Sequence, residues 1–276
     1  MKILNQKQDL NKIYYYCPHN TAIEYILPEN KILLSPLIKT NDPRENKDLW
    51  FSYSHDEENI PPIQELNTKF SKLVRKGCKV SCFSGDFREY QGCHLSNMWA
   101  HYGGNHKGVC LEINLQKFLE ENKSIINNGI CKKIKYEVYN RISRSSQPTI
   151  NFIDINKTGE YDYIKYNFRE LYLDYLYFTK GEEWQSESEV RILYFSESDN
   201  SEYCSILSSL ECIHLGIDFN ECYLPSIKNL CTNKPIYKMC YLPNGLKSQF
   251  IEYHAVFVNF AAMLRQLFRS NVPALA

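Results

Sequence analysis

The chain has 276 residues, 43% of them hydrophobic, and its 32 lysines and arginines balance 32 aspartates and glutamates. That length supports one large domain or two small ones with a sizeable core, and the neutral balance without a basic stripe offers no hint of a phosphate-backbone or membrane-surface partner. Eleven cysteines form no regular framework, and Met1-Lys2-Ile3-Leu4-Asn5-Gln6 runs at once into polar residues, so the chain reads as cytoplasmic with reduced thiols.

In chain order, Ile13-Tyr14-Tyr15-Tyr16 predicts a first strand, His19 to Ile26 a short helix, and Lys31 to Ser35 a second strand. Asn41-Asp42-Pro43 marks a turn, because Asn and Asp bond the nearby backbone and Pro fixes φ. Asp42 or Glu45 reaching a cleft from that loop is the functional alternative. A helix follows over Ile63 to Lys76, then a strand over Lys79 to Ser84. Ser96 to Tyr102 predicts one or two helical turns, Val109 to Ile113 a strand, residues 116 to 122 a short helix, and Ile130 to Val138 another strand. Asn140 to Asn156, rich in Ser, Arg and Asn, reads as a mobile surface loop.

Tyr161, Ile164, Phe168, Leu171, Tyr175 and Phe178 recur at spacings of three and four, which predicts one amphipathic helix. Strands over Cys212 to Ile217 and Pro235 to Met239 then surround a short helix near 222 to 231. Val256 to Phe268 forms an apolar helical stripe, a packing helix that docks on the domain or on another copy of the chain, giving a homo-oligomer. No apolar run reaches the roughly 18 to 20 residues of a membrane span, so no membrane partner is expected. The economical fold is a single α+β domain over 1–250 with a mixed or split β-sheet core, followed by a C-terminal helix and tail over 251–276.

Cys78, Cys82, Cys93 and His94 could supply four zinc ligands, yet they lack tight Cys-x-x-Cys pairs, so buried apolar thiols and no metal are expected. Cys82 paired with His94 or His101 as a nucleophile has no supporting signature.

The most informative segment is Lys180-Gly181-Glu182-Glu183-Trp184-Gln185-Ser186-Glu187-Ser188-Glu189-Val190-Arg191-Ile192. If a strand begins here with Val190 and Ile192 toward the core, then Glu187, Glu189 and Arg191 share the opposite face. Two acids so close must find partners or share charge, as in many sites, while an ordinary solvated Glu/Arg cross-pair is the plain reading. An isolated histidine such as His101 or His106 is more often a satisfied polar group, and Trp99 and Trp184 more often core than ligand platforms.

Six segments in order resemble the bacterial family known as domain of unknown function 2971. They are Ile13 to Tyr16, Ser35-Pro36 through Thr40-Asn41-Asp42-Pro43-Arg44-Glu45, Val80 to Ser84, Met98 to Tyr102, Asn105 to Cys110, and Trp184 to Ile192. The family in turn resembles the ADP-ribosyltransferase superfamily in layout: an aromatic first strand, a Ser-x-Ser-like middle strand, and a late Glu-x-Glu strand.

That resemblance implies an ADP-ribosyltransferase-like fold and cleavage of the nicotinamide-ribose bond of NAD, with a protein or nucleic-acid acceptor or water, in a toxin or phage-defence effector. It implies Glu189 as the carboxylate that stabilises the ribosyl cation and Glu187 as the residue orienting the acceptor. Ser81 and Ser84 would bond Glu189 or the ribose, Tyr16 or Trp99 would stack on nicotinamide, and Tyr15, His101, Tyr102, His106 and Arg191 would complete the cofactor site. One departure matters: Tyr15 stands where such transferases usually carry Arg or His, with His19, His101 and Lys180 as substitutes. A non-catalytic nucleotide- or partner-binding module on the same fold is the alternative.

Overall fold

Alternation along Lys12–Cys17 (β1) sends its two faces into different cores. Ile13 and Cys17 pack with Phe83, Leu111 and Ile192, whereas Tyr14 and Tyr16 pack with Cys93, Trp99 and Met239. A strand buried on both faces is therefore central, as period-two geometry requires. The computed structural model describes residues 10–54, 61–127, 129–138, 147–198, 200–243 and 245–251.

The remaining strands are β2 (Lys31–Pro36), β3 (Ser52–Tyr53), β4 (Cys78–Ser84), β5 (Val109–Asn114), β6 (Gly129–Lys133), β7 (Lys135–Glu137) and β8 (Thr149–Ile150). After them come β9 (Thr179–Gly181), β10 (Glu189–Phe195), β11 (Glu202–Ser205), β12 (Leu210–Leu215), β13 (Ile236–Leu242) and β14 (Gly245–Phe250). The main sheet runs β11-β2-β4-β1-β5-β12-β13-β14, with β10 on β4 and β6 on β10. It is mixed: β12 and β13 are parallel and its other pairs antiparallel. The fold is a single mixed α+β domain around this sheet, as composition and pattern predict.

Helices cover the faces that the strands leave apolar. Ile63–Arg75 buries Leu66, Phe70 and Val74, spaced by four, and forms with Phe168, Tyr177 and Leu193 a second core. Each such side chain contributes about 1.5–3 kcal/mol when fully buried. The helix stops at Gly77, whose φ of +69° is the left-handed turn that ends many helices. Its carbonyl accepts from the Ser196 N–H at 2.8 Å, tying β4 to the end of β10.

Several expectations are corrected. The segment predicted as one strand over Ile130 to Val138 is split into β6 and β7, which pair with different strands, β10 and β9. The helix predicted over Tyr161 to Phe178 is interrupted at Tyr172, with wide turns over Tyr163–Phe168; Leu171 is exposed and Tyr163 and Tyr177 are buried. Residues 147–156 include β8 and the start of the helix Phe152–Thr158, capped by Asn151, where a loop is predicted; residues 139–146 of that loop lie outside the described residues. The C-terminal helix predicted at Val256 to Phe268 also lies outside them. Within the described residues no helix is long and apolar enough to cross a membrane.

Candidate functional site

The sheet has a gap. β4 pairs with β10 along its whole length, but on its other side it meets β2 only at Val80 and Lys79 and β1 only at Ser84. Between those points β1 and β2 part, and the opening is a cavity of about 190 Å³. Its walls are Tyr14, Tyr15 and Tyr16 of β1, Ser35 of β2, Val80 to Ser84 of β4, and the turn residues Lys39, Thr40 and Asn41. Met98, Tyr102, Lys180, Glu187 and Glu189 close it. Pockets that bury drug-sized ligands run about 300–1,000 Å³, so this one has room for a single ring or sugar.

Its polar end is a buried ion cluster. Lys180 Nζ, on β9, lies 2.6 Å from Glu189 Oε2 and 2.9 Å from Glu187 Oε2. Arg191 Nε donates to Glu189 Oε1 at 2.6 Å, and its NH1 to the Tyr177 carbonyl at 2.7 Å and to Glu45 Oε1 at 2.5 Å. Tyr102 OH donates to Glu187 Oε1 at 2.6 Å. All five charged residues are 5% exposed or less, so each depends on its partners rather than on water. Three carboxylates face two cations, an excess of one acid among the five.

Burial works against the charged form of Glu189, but Arg191 and Lys180 more than offset it and hold the carboxyl well below the usual range. Burial likewise opposes the Lys180 ammonium, and Glu189, Glu187 and Glu45 outweigh it, raising its pKa. Burial, then Glu187, raises that of the Tyr102 phenol, which stays a donor.

The local fold differs from the predicted strand face. Glu187 ends a 3-10 turn, Glu182–Glu187, and Ser188 is left-handed at φ 45°; β10 begins only at Glu189. Ser188 is fixed there by its carbonyl, which accepts from the Gly85 N–H, and its hydroxyl, which donates to the Asp86 carbonyl. The two acids converge through Lys180 rather than through strand periodicity. Nor is their face solvated: Arg191 is wholly buried.

Of the residues singled out in the sequence, Tyr15, Tyr16, Ser81, Ser84, Tyr102, Glu187 and Glu189 come together in the cavity wall. Ser81 and Ser84 have buried hydroxyls without a hydrogen-bond partner among the described residues. Tyr16 spends its hydroxyl on the Gly92 carbonyl and meets Trp99 edge-on. Trp99 is fully buried, its Nε1 donating to the Cys93 carbonyl, and it does not line the cavity, which corrects its reading as a stacking platform. His101 is exposed, and His106 sits in a loop at φ 65° with its carbonyl accepting from the Asp218 N–H; neither lines the cavity. Arg191 lies behind Glu189 and orients it.

Sequence reading missed Tyr14, Lys39, Thr40 and Asn41 as cavity residues. Asp42 caps the helix Pro43–Asn46 through the Arg44 N–H, and the cap sets Glu45 against Arg191 rather than in the cavity. Cys82 lines the cavity, but burial raises its thiol pKa well above the usual value, and His94 is bonded to Ser248 instead. The tetrad Cys78, Cys82, Cys93 and His94 does not assemble: Cys78 and Cys93 belong to separate cores.

Residues 98–192 match the model of a family described as a protein of unknown function, DUF2971, a stretch shorter than half of the 276-residue chain. It takes in Met98 to Tyr102, Asn105 to Cys110 and Trp184 to Ile192, and leaves out the three motifs before residue 98. No curated protein and no solved structure matches. The likeness to ADP-ribosyltransferases rests on the motif layout alone.

Proposed function

We propose that the cavity binds the nicotinamide riboside end of NAD and cleaves its glycosidic bond, an ADP-ribosyltransferase-like reaction. The observation carrying this reading is Glu189, a buried carboxylate held ionised at the wall of a ring-sized cavity beside two hydroxyls that lack partners among the described residues. Breaking the C1′–N bond sends its electron pair to nicotinamide and leaves positive charge on the ribose, the problem that glycosidases solve with a carboxylate. A carboxyl that stays ionised suits that electrostatic role and not general acid catalysis. The excess acid in the ion cluster favours a ligand whose ring is cationic, as nicotinamide is in NAD. The acceptor, a protein, a nucleic acid or water, bonds to C1′ and gives up its proton, with Glu187 orienting it.

Lys39, exposed at the rim, supplies the cation for the phosphates that the missing basic residue of β1 would otherwise hold. The rest of the dinucleotide extends past it, since the cavity takes only one ring or sugar.

A non-catalytic nucleotide-binding module is the second reading. It is favoured by the engagement of both Glu189 oxygens, one by Arg191 and one by Lys180, before any ligand arrives. Nicotinamide release from NAD by the wild type and Glu189→Gln, beside calorimetric titration of NAD, separates the two. Release lost in a folded mutant supports the enzyme, binding without turnover supports the module, and neither release nor binding by the wild type sets NAD aside.

A further inference from the structure

On the far side of β1 from β4 lies a second cluster that the cavity does not use. β5 and β12 pair with Glu112 opposite Cys212 and Cys110 opposite His214, so Glu112, Cys212 and His214 rise from one face of the sheet. The turn Gly92–His94 crosses that face and brings in Cys93. One donor atom from each of Cys93, Glu112 and His214 lies within 4.8 Å of the others, and the three residues are 0%, 7% and 3% exposed.

We propose that Cys93, Glu112 and His214, completed by Cys212, form a binding site for a divalent transition cation of the zinc type. Sulfur, imidazole and carboxylate donors together suit that class, whereas calcium and magnesium take oxygen. The spacing is close to a coordination sphere. His214 Nε2 is 2.9 Å from Glu112 Oε2 and 3.4 Å from Cys212 Sγ. Tetrahedral bonds of about 2.0 Å to nitrogen and oxygen and about 2.3 Å to sulfur place such pairs about 3.3 and 3.5 Å apart. The Cys93 donor lies within 4.8 Å of those of Glu112 and His214, in reach of the same ion.

The surroundings fit a ligated histidine. Ser248 Oγ lies 3.2 Å from His214 Nδ1, which fixes the ring and turns Nε2 toward the cluster, as the outer partners of metal-bound imidazoles do. Glu112 keeps its other oxygen on Lys12, so the carboxylate can ligate through Oε2 alone. Two thiolates and a carboxylate around a dication carry one net negative charge, and Lys12 balances it. A cation that binds here displaces the thiol protons, because thiolates are the ligands.

The ion would clamp the turn that leads into the helix Ser96–His101, and hence Tyr102, onto the sheet. The test uses the full chain, stripped with a chelator and reloaded with zinc or cobalt. One metal ion per chain, a near-ultraviolet thiolate-to-cobalt charge-transfer band, and a melting temperature that rises on zinc addition are expected. Cys93→Ser and Cys212→Ser should each weaken the band, the double variant should abolish it, and Cys222→Ser, at an exposed thiol, should leave it intact. His214→Gln should reduce zinc affinity at least tenfold; if it fails to fold, the cysteine variants carry the same readout. Substoichiometric metal, a cobalt spectrum without a thiolate band, or a band that survives the double cysteine variant overturns the proposal. None of these outcomes depends on NAD turnover.

Discussion

Ser84 stands directly opposite Glu189 in the β4–β10 ladder, and its buried hydroxyl has no hydrogen-bond partner among the described residues. Directly opposed side chains are within about 5 Å at Cβ, so a group bonded to this carboxylate is also in reach of the hydroxyl. Ser84→Ala removes an unsatisfied polar atom and should leave stability within about 0.5 kcal/mol. Losing one hydrogen bond to a ligand is worth about 1.4 kcal/mol, so NAD affinity or turnover should fall roughly tenfold. Calorimetry and nicotinamide release check both, and an unchanged affinity and rate would remove Ser84 from the site.

Arg191→Ala leaves Glu189 and Glu45 buried without their shared partner. Removing one side of a buried ion pair costs about 3–5 kcal/mol. Urea denaturation should show a loss of that size, whereas a change below about 1 kcal/mol would mean that water reaches the cluster.

Acid should weaken the fold in a defined window. Arg191 and Lys180 outweigh burial and place the folded Glu189 carboxyl at about 2, against an ordinary value of 4.5. A depressed folded value means that unfolding takes up a proton, so this contribution is complete above pH 4.5 and drains as pH falls toward 2. Urea midpoints measured across this range should drop steadily, and less steeply in Glu189→Gln.

Gly77→Ala combines two penalties. The position has φ +69°, and an added Cβ would lie 2.3 Å from the Ser196 carbonyl oxygen, which is backbone and cannot swing aside. The left-handed conformation alone costs about 1–2 kcal/mol and the clash adds more, so the melting temperature should fall by several degrees. A neutral substitution would show that this junction can yield.

Lys39→Ala tests the rim. An exposed lysine contacting phosphate acts on ground state and transition state alike, so the expected effect is a raised KM with kcat nearly unchanged. High salt should shrink the difference between wild type and variant, because exposed charges are screened.

The strands were legible because their signal is local: Ile13 to Tyr16, Lys79 to Ser84 and Val109 to Ile113 each carry a short apolar or aromatic run, and each lies within the strand observed. The sequence also pointed to Glu187, Glu189, Ser81 and Ser84, which meet in one cavity. The reason for their meeting was not legible. Period-two logic put Glu187 on a strand, while a left-handed serine and a lysine seven residues upstream do the work instead. Glu45 reaches Arg191 only because Asp42 caps a one-turn helix, a tertiary outcome of what reads as an ordinary Asn-Asp-Pro turn. Glu112 and His214 are joined by the β5–β12 pairing across 102 residues, and a turn brings Cys93 to them, beyond any spacing rule.

The parting of β1 and β2 leaves Ser81, Cys82 and Phe83, among the described residues, with a strand partner on one side only. In an antiparallel strand successive residues turn their N–H and C=O to alternate sides, so part of the main chain of this stretch faces the opening. A guest with donor and acceptor edges can dock there much as an added strand would. Alanine scanning of the walls would then under-report how tightly the opening holds its guest, because the peptide groups survive every such substitution.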